Sequence, residues 1–335
     1  MENIMSRKIY GLIDLHLHLD GSLSLNSVRD LAQMQGIPVE PDDEKLLKML
    51  RVSPDCRDLN EYLEKFAFPG SLLQKPEAIT RSVENLRREL KEQGLIYAEI
   101  RFAPQLHTLQ GLTQRQVVRA AVEGLKADGV KASLILCCMR GSTNKAENME
   151  TVRLTAEFLG KGVCATDLAG AEALFPNADF EDLFDLAREL GVPYTIHAGE
   201  ADGPRSVYKA LEFGTKRLGH GVRSIEDPAL MERLAREGIT LEMCPTSNLN
   251  TNIFNSIGEY PIVRLMDAGI RVTLNTDNTM VSGVSLQSEW EKVLGEFRLS
   301  DGQILAIQKN SAEAVFGDES LKNWLLREID ARFRG

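Results

Sequence analysis

IDLHLHLDGS, residues Ile13–Ser22, alternates apolar and polar side chains up to Asp20. This alternation predicts a β-strand, whose successive side chains point to opposite faces. One face then carries leucines, and the other carries His16, His18 and Asp20. Such polar groups on the inner face of an apolar strand need a partner, because an unpaired buried polar group is costly. A metal ion bound by neutral imidazole is one such partner. A strand with two solvent-facing histidines is the alternative.

The other histidines indicate where a metal site would lie. The chain has five histidines, and two of them, His197 and His220, end short apolar runs that are followed by glycine. A later strand-like run, residues 272–278, ends around Asp277. Four predicted strand ends therefore carry groups that can bind a metal or act beside one. That combination is more specific than any single motif.

Predicted strands and helices alternate along most of the chain. Beside the opening stretch, strands are predicted at residues 95–102, 130–138, 162–168, 192–197, 216–219, 239–243 and 270–275. Helices are predicted at residues 25–35, 76–93, 113–128, 146–159, 180–190, 204–213, 228–237 and 262–268. Strict alternation implies a parallel sheet, and eight units favour a closed (β/α)8 TIM barrel over an open doubly wound sheet. No Gly-x-Gly-x-x-Gly motif follows the first strand, which argues against a dinucleotide-binding fold.

We therefore expect an α/β protein with one barrel domain over residues 1–335, because no linker interrupts the pattern. A polar helical tail is expected over residues 285–335. Active sites in such barrels lie at the C-terminal ends of the strands. The histidines and Asp277 should therefore face one mouth, although they are far apart in sequence.

A long segment after the first strand, residues 39–75, is too long for a simple connection. We expect an inserted helical segment that covers a site, with short helices around residues 43–50 and 58–67. One helical face of the second of these carries Leu59, Tyr62, Leu63 and Phe66. Such a stripe indicates either core packing or the apolar wall of a substrate cleft.

Composition excludes several classes of function. A formal net charge of −10 and a pI near 5.2 argue against nucleic acid as the main partner. No Walker-type phosphate loop, signal peptide or apolar run of transmembrane length is recognisable. The five cysteines are odd in number, and no two are spaced as a Cys-x-x-Cys pair. We expect reduced, mostly buried thiols in a cytoplasmic protein.

Seven short motifs occur along the chain in a characteristic order. They are HLHLDGS (16–22), RFAP (101–104), DLAG (167–170), HAGE (197–200), LGHG (218–221), CPTSN (244–248) and NTD (275–277). In this order they resemble the adenosine deaminase family of metal-dependent amidohydrolases. The resemblance covers nearly the whole chain. Each motif alone is weak, but together they are specific.

The resemblance implies hydrolytic deamination of a purine nucleoside, in which a zinc-bound water attacks C6 and ammonia is expelled. It implies one Zn²⁺ per chain, with the ligands His16, His18, His197 and Asp277. Glu200 would protonate N1 of the purine, and His220 would orient or deprotonate the water. The implied substrate contacts are His18, Asp20 at the ribose hydroxyls, Gly170 at N3, Asn278 at N7, and a lid formed by Leu59, Tyr62, Leu63 and Phe66.

The residue types fit this chemistry independently of the resemblance. Zinc lowers the pKa of a bound water toward ~7, so hydroxide exists at neutral pH. Displacing an amine from an aromatic ring requires protonation of a ring nitrogen, which a nearby carboxylic acid such as Glu200 can supply. No lysine lies in the strand at residues 162–168 to bridge a second metal.

One position departs from the pattern of the family. Many members have a second aspartate after the last ligand, whereas this chain has Asn278. An amide can still donate a hydrogen bond to N7. The substrate therefore stays open among adenosine, adenine, N6-methyl-AMP and aminodeoxyfutalosine, although Asp20, where adenine-specific relatives commonly have glutamate, favours a nucleoside. A non-enzymatic binding relative is the distant alternative. His107 lies outside all seven motifs, and we expect it in a loop or at the surface.

Overall fold

The structure is a computed structural model that describes residues 8–333. Eight strands occur in it: β1 (Leu12–His18), β2 (Leu95–Phe102), β3 (Lys131–Met139), β4 (Val163–Ala169), β5 (Ile196–Ala198), β6 (Arg217–His220), β7 (Thr240–Met243) and β8 (Arg271–Leu274). The helices before β5 are α1 (Leu25–Gln35), α2 (Asp43–Leu50), α3 (Leu59–Leu63), α4 (Ala67–Leu72), α5 (Pro76–Glu92), α6 (Gln114–Gly124), α7 (Lys145–Phe158) and α8 (Glu181–Glu189). Those after β5 are α9 (Pro204–Glu212), α10 (Pro228–Glu237), α11 (Pro245–Asn250), α12 (Ile262–Asp267), α13 (Leu286–Glu296), α14 (Asp301–Ala314) and α15 (Glu319–Phe333).

The strands form a closed parallel barrel. They pair in parallel in the orders β1-β2-β3-β4 and β5-β6-β7-β8. Two further parallel bridges join these halves, Thr166 with Tyr194 and Leu17 with Asp277. These bridges close the two junctions between the four-stranded halves, and helices separate the strands in the chain. The predicted (β/α)8 barrel is therefore confirmed.

Strand β5 is shorter than predicted. The expected strand covers residues 192–197, whereas regular pairing begins only at Ile196. Pro193 has no N–H to donate to a neighbouring strand. Its carbonyl accepts the N–H of Thr166, and the N–H of Thr195 donates to the Thr166 carbonyl, so the chain still follows β4. The proline thus interrupts the strand without opening the barrel.

The segment between β1 and β2 is attached to the C-terminal end of the barrel. Asp58 caps α3 by accepting hydrogen bonds from the N–H groups of Asn60 and Glu61. The Tyr62 hydroxyl lies 2.7 Å from Ser282 Oγ, and Asn252 Nδ2 donates to the Cys56 carbonyl at 2.5 Å. Loops that follow β7 and β8 therefore hold α3 over the barrel mouth.

The C-terminal tail is helical through residue 333, as predicted. Although its composition is polar, its helices bury apolar side chains against the barrel. Helix α13 buries Trp290, and α15 buries Leu325 and Ile329. The two residues of α15 join a cluster with Ile13 and Leu15 from the outer face of β1. Amphipathic helices thus cover β1 from outside, which leaves its histidines to the barrel interior.

Two further expectations concern membranes and thiols. Over residues 8–333, none of the helices combines the length and the apolar character that crossing a bilayer requires. All five cysteines fall in this part of the chain, and each is a buried free thiol. The expectation of buried, unpaired cysteines is confirmed.

A buried carboxyl on α13 should make stability depend on pH. Glu289 is fully buried, one oxygen accepts the N–H of Thr246 at 3.2 Å, and burial raises its pKa to about 7. Folding therefore favours the protonated form. This contribution to stability is complete below about pH 4.5 and is lost as the pH rises through about 7. Glu289→Gln should stabilise the protein at pH 8 by on the order of 1–3 kcal/mol.

The measurement is the free energy of unfolding of wild type and variant between pH 4.5 and 8. The stabilisation should shrink toward pH 4.5, where wild-type Glu289 is protonated in the folded state and half protonated in the unfolded state. Glu291→Gln, on the exposed side of the same helix, is the matched control and should show no such trend. A Glu289→Gln effect of equal size at every pH would contradict the assignment.

Candidate active site

The four predicted ligands and the predicted catalytic residue His220 meet at the C-terminal end of the barrel. His16 and His18 lie at the end of β1, His197 lies in β5, and His220 ends β6. Asp277 lies just after β8, where its backbone pairs with β1. This convergence follows from the parallel barrel, in which all strands end at one mouth.

Four of these residues form a compact group. One possible ligand atom from each lies within 4.8 Å of those of the other three, and all four residues are buried: His16, His197, His220 and Asp277. His18 lies beside the group, with its Nε2 3.4 Å from Asp277 Oδ1. The arrangement therefore has the donor types and the proximity of a metal site.

The Nδ1 atoms of two histidines of the group, His16 and His197, contact buried carboxylates. His16 Nδ1 lies 2.8 Å from Glu242 Oε2, and His197 Nδ1 lies 3.0 Å from Asp167 Oδ2. Because an ionised carboxylate only accepts hydrogen bonds, each Nδ1 carries a proton, and the lone pair of the neutral imidazole is then on Nε2. His16 Nε2 is buried and has no hydrogen-bond partner within residues 8–333. This pattern of outer carboxylates is typical of histidines that bind metals.

One guanidinium joins the two carboxylates. Arg101 donates to Asp167 Oδ2 at 2.9 Å and to Glu242 Oε2 at 2.8 Å, and all three side chains are buried. Burial alone would raise the pKa of either carboxyl, but the neighbouring cations hold both pKa values low. The sequence analysis assigned no role to these residues. A charged residue within a predicted buried strand was the one sequence feature that could have indicated a role for Glu242.

Asp277 is fixed by both its backbone and its side chain. Its N–H donates to the His16 carbonyl and its carbonyl accepts the His18 N–H, each at 2.7 Å. Ser247 Oγ donates to Oδ2 at 2.6 Å, which leaves Oδ1 directed at the histidines. Burial would raise the pKa of Asp277, but the neighbouring histidines, chiefly His16, hold it low.

Two non-glycine residues of the group have left-handed backbones. The φ angles of His220 and Asp277 are +60° and +63°. This region costs a non-glycine residue roughly 1–2 kcal/mol. Such strain is concentrated at functional sites, where the surrounding structure imposes it.

Glu200 and His220 lie next to each other in the site. Glu200 Oε1 is 3.6 Å from His220 Nε2, and both side chains are buried. Burial raises the pKa of Glu200 well above its ordinary value, and the charges of Asp277 and Glu172 raise it further. Burial lowers the pKa of His220, and Asn248 Nδ2 contacts its Nδ1 at 3.1 Å. Burial therefore favours the protonated carboxyl of Glu200 and the neutral imidazole of His220.

A cavity of about 190 Å³ opens onto this group. All predicted site residues except His16 line it: His18, Asp20, Leu59, Tyr62, Leu63, Phe66, Gly170, His197, Glu200, His220, Asp277 and Asn278. The other lining residues are Ala103, Leu106, Cys137, Met139 and Ala169. The sequence stripe on the inserted segment therefore lies at the wall of a cavity. Tyr62 also packs against Val281, so both interpretations of that stripe apply.

One oxygen of each of two polar side chains in the cavity lacks a hydrogen-bond partner. Asp20 Oδ1 and Asn278 Oδ1 are buried and make no hydrogen bond to residues 8–333. Burial raises the pKa of Asp20 to about 6. A Cβ at Gly21 would lie 1.8 Å from Asn278 Oδ1, so only glycine permits this close approach. Both groups are available to a polar ligand.

His107 lies in the loop between β2 and α6, as expected, but it is buried there rather than at the surface. Its side chain is 1% exposed and packs near the Phe102 ring, with ring centres 5.9 Å apart. Burial lowers its pKa to about 4, so the imidazole is neutral. The residue ends a short 3-10 turn, Pro104–His107, beneath the segment that covers the barrel. A lone histidine in a loop carries no periodic signal that would indicate burial.

Comparisons with known proteins agree with this architecture. Residues 12–332 match the family model described as adenosine deaminase. An adenosine deaminase of Haemophilus ducreyi is 45% identical over 97% of this chain and 97% of its own length. The solved adenine deaminase of Arthrobacter aurescens aligns with a TM-score of 0.87 at 24% identity, covering 97% of this chain and all of that one. The N6-mAMP deaminase of Arabidopsis aligns with a TM-score of 0.84 at 26% identity, covering 99% and 100%.

The outer carboxylates give a test of the metal site. Asp167→Asn removes the charge that His197 and Arg101 share, so a divalent ion should bind roughly 10–100-fold more weakly. Competition with a chromophoric chelator measures this affinity. Asp185→Asn, on the exposed side of α8, is the control. Unchanged affinity in folded Asp167→Asn protein would contradict a metal-orienting role.

Proposed function

Because the chain belongs to the adenosine deaminase family, we propose that it hydrolyses adenosine and 2′-deoxyadenosine to inosine and 2′-deoxyinosine with release of ammonia. Similarity to a curated adenosine deaminase along 97% of both chains supports the reaction. The observation that carries the proposal is the position of Glu200. Its carboxyl, whose pKa is raised by burial, lies at the cavity wall beside the histidine–aspartate group.

The residues at the barrel mouth fit one zinc ion. Imidazole and carboxylate groups are zinc ligands, and His16 Nε2 is a buried nitrogen without a hydrogen-bond partner within residues 8–333. We assign His16, His18, His197 and Asp277 as the ligands. Zinc held there would lower the pKa of a water molecule and make hydroxide available at neutral pH.

Glu200 and His220 are assigned the proton transfers. Glu200 donates its proton to N1 of the purine, which relieves the charge that builds on the ring as water adds to C6. Neutral His220 accepts a hydrogen bond or a proton from the attacking water. The two side chains are 3.6 Å apart, so both can reach adjacent atoms of a C6–N1 edge that enters the cavity beside them.

The remaining cavity residues bind the nucleoside. Asp20 accepts hydrogen bonds from the ribose hydroxyls, and Asn278 contacts N7 as an amide donor. The backbone N–H of Gly170, at the end of β4, is assigned to N3. The segment that bears Leu59, Tyr62, Leu63 and Phe66 covers the ligand and excludes water, which strengthens electrostatic interactions inside. A cavity with an apolar wall and a few polar groups is typical of small-molecule sites.

The general acid can be removed without changing the size of the side chain. Glu200→Gln should keep one zinc per chain, measured by elemental analysis, and lose roughly 10²–10⁴-fold in kcat for adenosine, because an amide has no carboxyl proton. Glu212→Gln, exposed on α9, is the control and should keep wild-type activity. A Glu200→Gln variant with more than about a tenth of the wild-type kcat would exclude the assigned role.

Asp20 decides the class of substrate. Free adenine offers no hydroxyl to this carboxylate and leaves it unpaired, at a cost of about 1–3 kcal/mol. Adenosine and 2′-deoxyadenosine should therefore have a much higher kcat/KM than adenine. AMP should be poor, because its phosphate brings negative charge toward Asp20. Asp20→Ala should weaken nucleoside turnover and leave zinc bound.

The experiment measures kcat/KM for adenosine, adenine, AMP and N6-methyl-AMP with wild type and Asp20→Ala, by following ammonia release. Adenine or a nucleotide as the best wild-type substrate would reject the nucleoside assignment. Equal adenosine turnover in the two proteins would reject the role of Asp20. Asp185→Asn controls for the loss of a carboxylate elsewhere.

A further inference from the structure

The loop that carries Glu200 is held by one buried carboxylate, Glu172. This residue follows Gly170 by two positions, in the loop after β4, and is 1% exposed. Its Oε1 accepts hydrogen bonds from Gly199 N at 2.7 Å and from Ser206 Oγ at 2.5 Å. Its Oε2 accepts from the backbone N–H groups of Glu200, Ala201 and Asp202 at 3.0, 2.7 and 2.9 Å. The carboxylate thus binds four consecutive amides of the loop after β5.

Consecutive backbone N–H groups that converge on one point form a binding site for an anion. Here the anion is a side chain of the protein itself, and charged hydrogen bonds of this kind are stronger than neutral ones. The turn depends on Gly199, whose φ is +70° and where a Cβ would lie 2.5 Å from Val207 Cγ2. The loop backbone is therefore shaped to receive the Glu172 carboxylate.

We call the contact between the Glu172 carboxylate and residues 199–202 the clamp. A chain of hydrogen bonds extends from it to the backbone of His197. Ser206, which donates to Glu172, is contacted by Asn177 Nδ2 at 2.9 Å. Arg140 donates to Asn177 Oδ1 at 2.8 Å and to the His197 carbonyl at 2.6 Å. The guanidinium supplies positive charge near the buried carboxylate and fixes the backbone of a predicted zinc ligand. Both ends of the segment from His197 to Glu200 are thus held by one network.

We propose that Glu172 is a positioning residue, whose carboxylate fixes the backbone of residues 199–202 and thereby holds the Glu200 carboxyl at the cavity beside His220. The proposal rests on the function proposed above, in which Glu200 is the general acid. Glu172 itself does not line the cavity, so it acts through Glu200. A displacement of about 1 Å in a reacting group can cost roughly 10²-fold in rate.

The test is Glu172→Gln in the full-length, zinc-loaded protein. The amide preserves size, but its NH₂ group faces N–H donors and cannot accept their hydrogen bonds. We expect kcat for adenosine to fall at least ~10-fold with KM within about threefold of wild type and zinc content unchanged. Amide hydrogen exchange of peptides that cover residues 199–202 should become faster.

Glu89→Gln is the matched control. Glu89 accepts hydrogen bonds from the hydroxyls of Ser24 and Ser27, on the outer helices rather than at the cavity. This variant should keep the wild-type kcat and the slow exchange of residues 199–202. A loss of kcat in Glu89→Gln equal to that in Glu172→Gln would overturn the specific role of Glu172.

Two other outcomes would also overturn the proposal. Wild-type kcat in zinc-loaded Glu172→Gln would show that Glu172 has only a structural role, and unchanged exchange would show that it does not hold the loop. If Glu172→Gln does not fold, Ser206→Ala and Glu172→Asp replace it. Unchanged kcat and exchange in both variants overturn the proposal. Failure of wild type to deaminate adenosine would instead reject the proposed function, while the exchange comparison still tests the clamp.

Discussion

The candidate site depends on a buried guanidinium, that of Arg101, which bridges Asp167 and Glu242 inside the barrel. Each carboxylate holds one histidine by its outer nitrogen, so one cation fixes the orientation of two imidazoles. Barrel interiors are usually filled by branched apolar side chains, whereas here a charged layer lies beneath the histidines. Removing one member of such a layer leaves an uncompensated buried charge, which costs about 3–5 kcal/mol. The same contacts therefore support both the fold and the geometry of the site.

Most of the architecture could be predicted because it rests on periodic patterns. The alternation around His16 specified a strand with one polar face, and the regular succession of apolar runs specified the barrel. Glycines after His197 and His220 marked the strand ends where the site lies. The failures concern interactions without periodicity. Pro193 shortened β5, and the burial of His107 depends on a segment that packs over it from elsewhere in the chain. Glu172 binds backbone N–H groups, which every non-proline residue has. No pattern of residue types could therefore predict that contact.

The strained positions explain how side chains from different strands reach a common point. His220 and Asp277 adopt left-handed backbones at the ends of their strands, and the strain is balanced by fixed contacts on each. Asn248 contacts the His220 ring, and Ser247 together with the backbone of β1 holds Asp277. Residues 247 and 248 belong to one short helix, α11. Helix α11 thus supports two strained residues at once. This support explains why Ser247 and Asn248 are polar and buried, although neither has an assigned role in the chemistry.

The bridge between Leu17 and Asp277 has a consequence for biosynthesis. It brings together parts of the chain separated by 260 residues, and Asp277 completes the predicted set of ligands. A ribosome must therefore have synthesised the chain through Asp277 before the site can exist. A nascent chain that ends before β8 lacks both the last strand of the barrel and the last ligand. Binding of an ion by all four predicted ligands therefore requires a chain that extends through β8. An ion that binds only the closed barrel stabilises that state over shorter nascent chains.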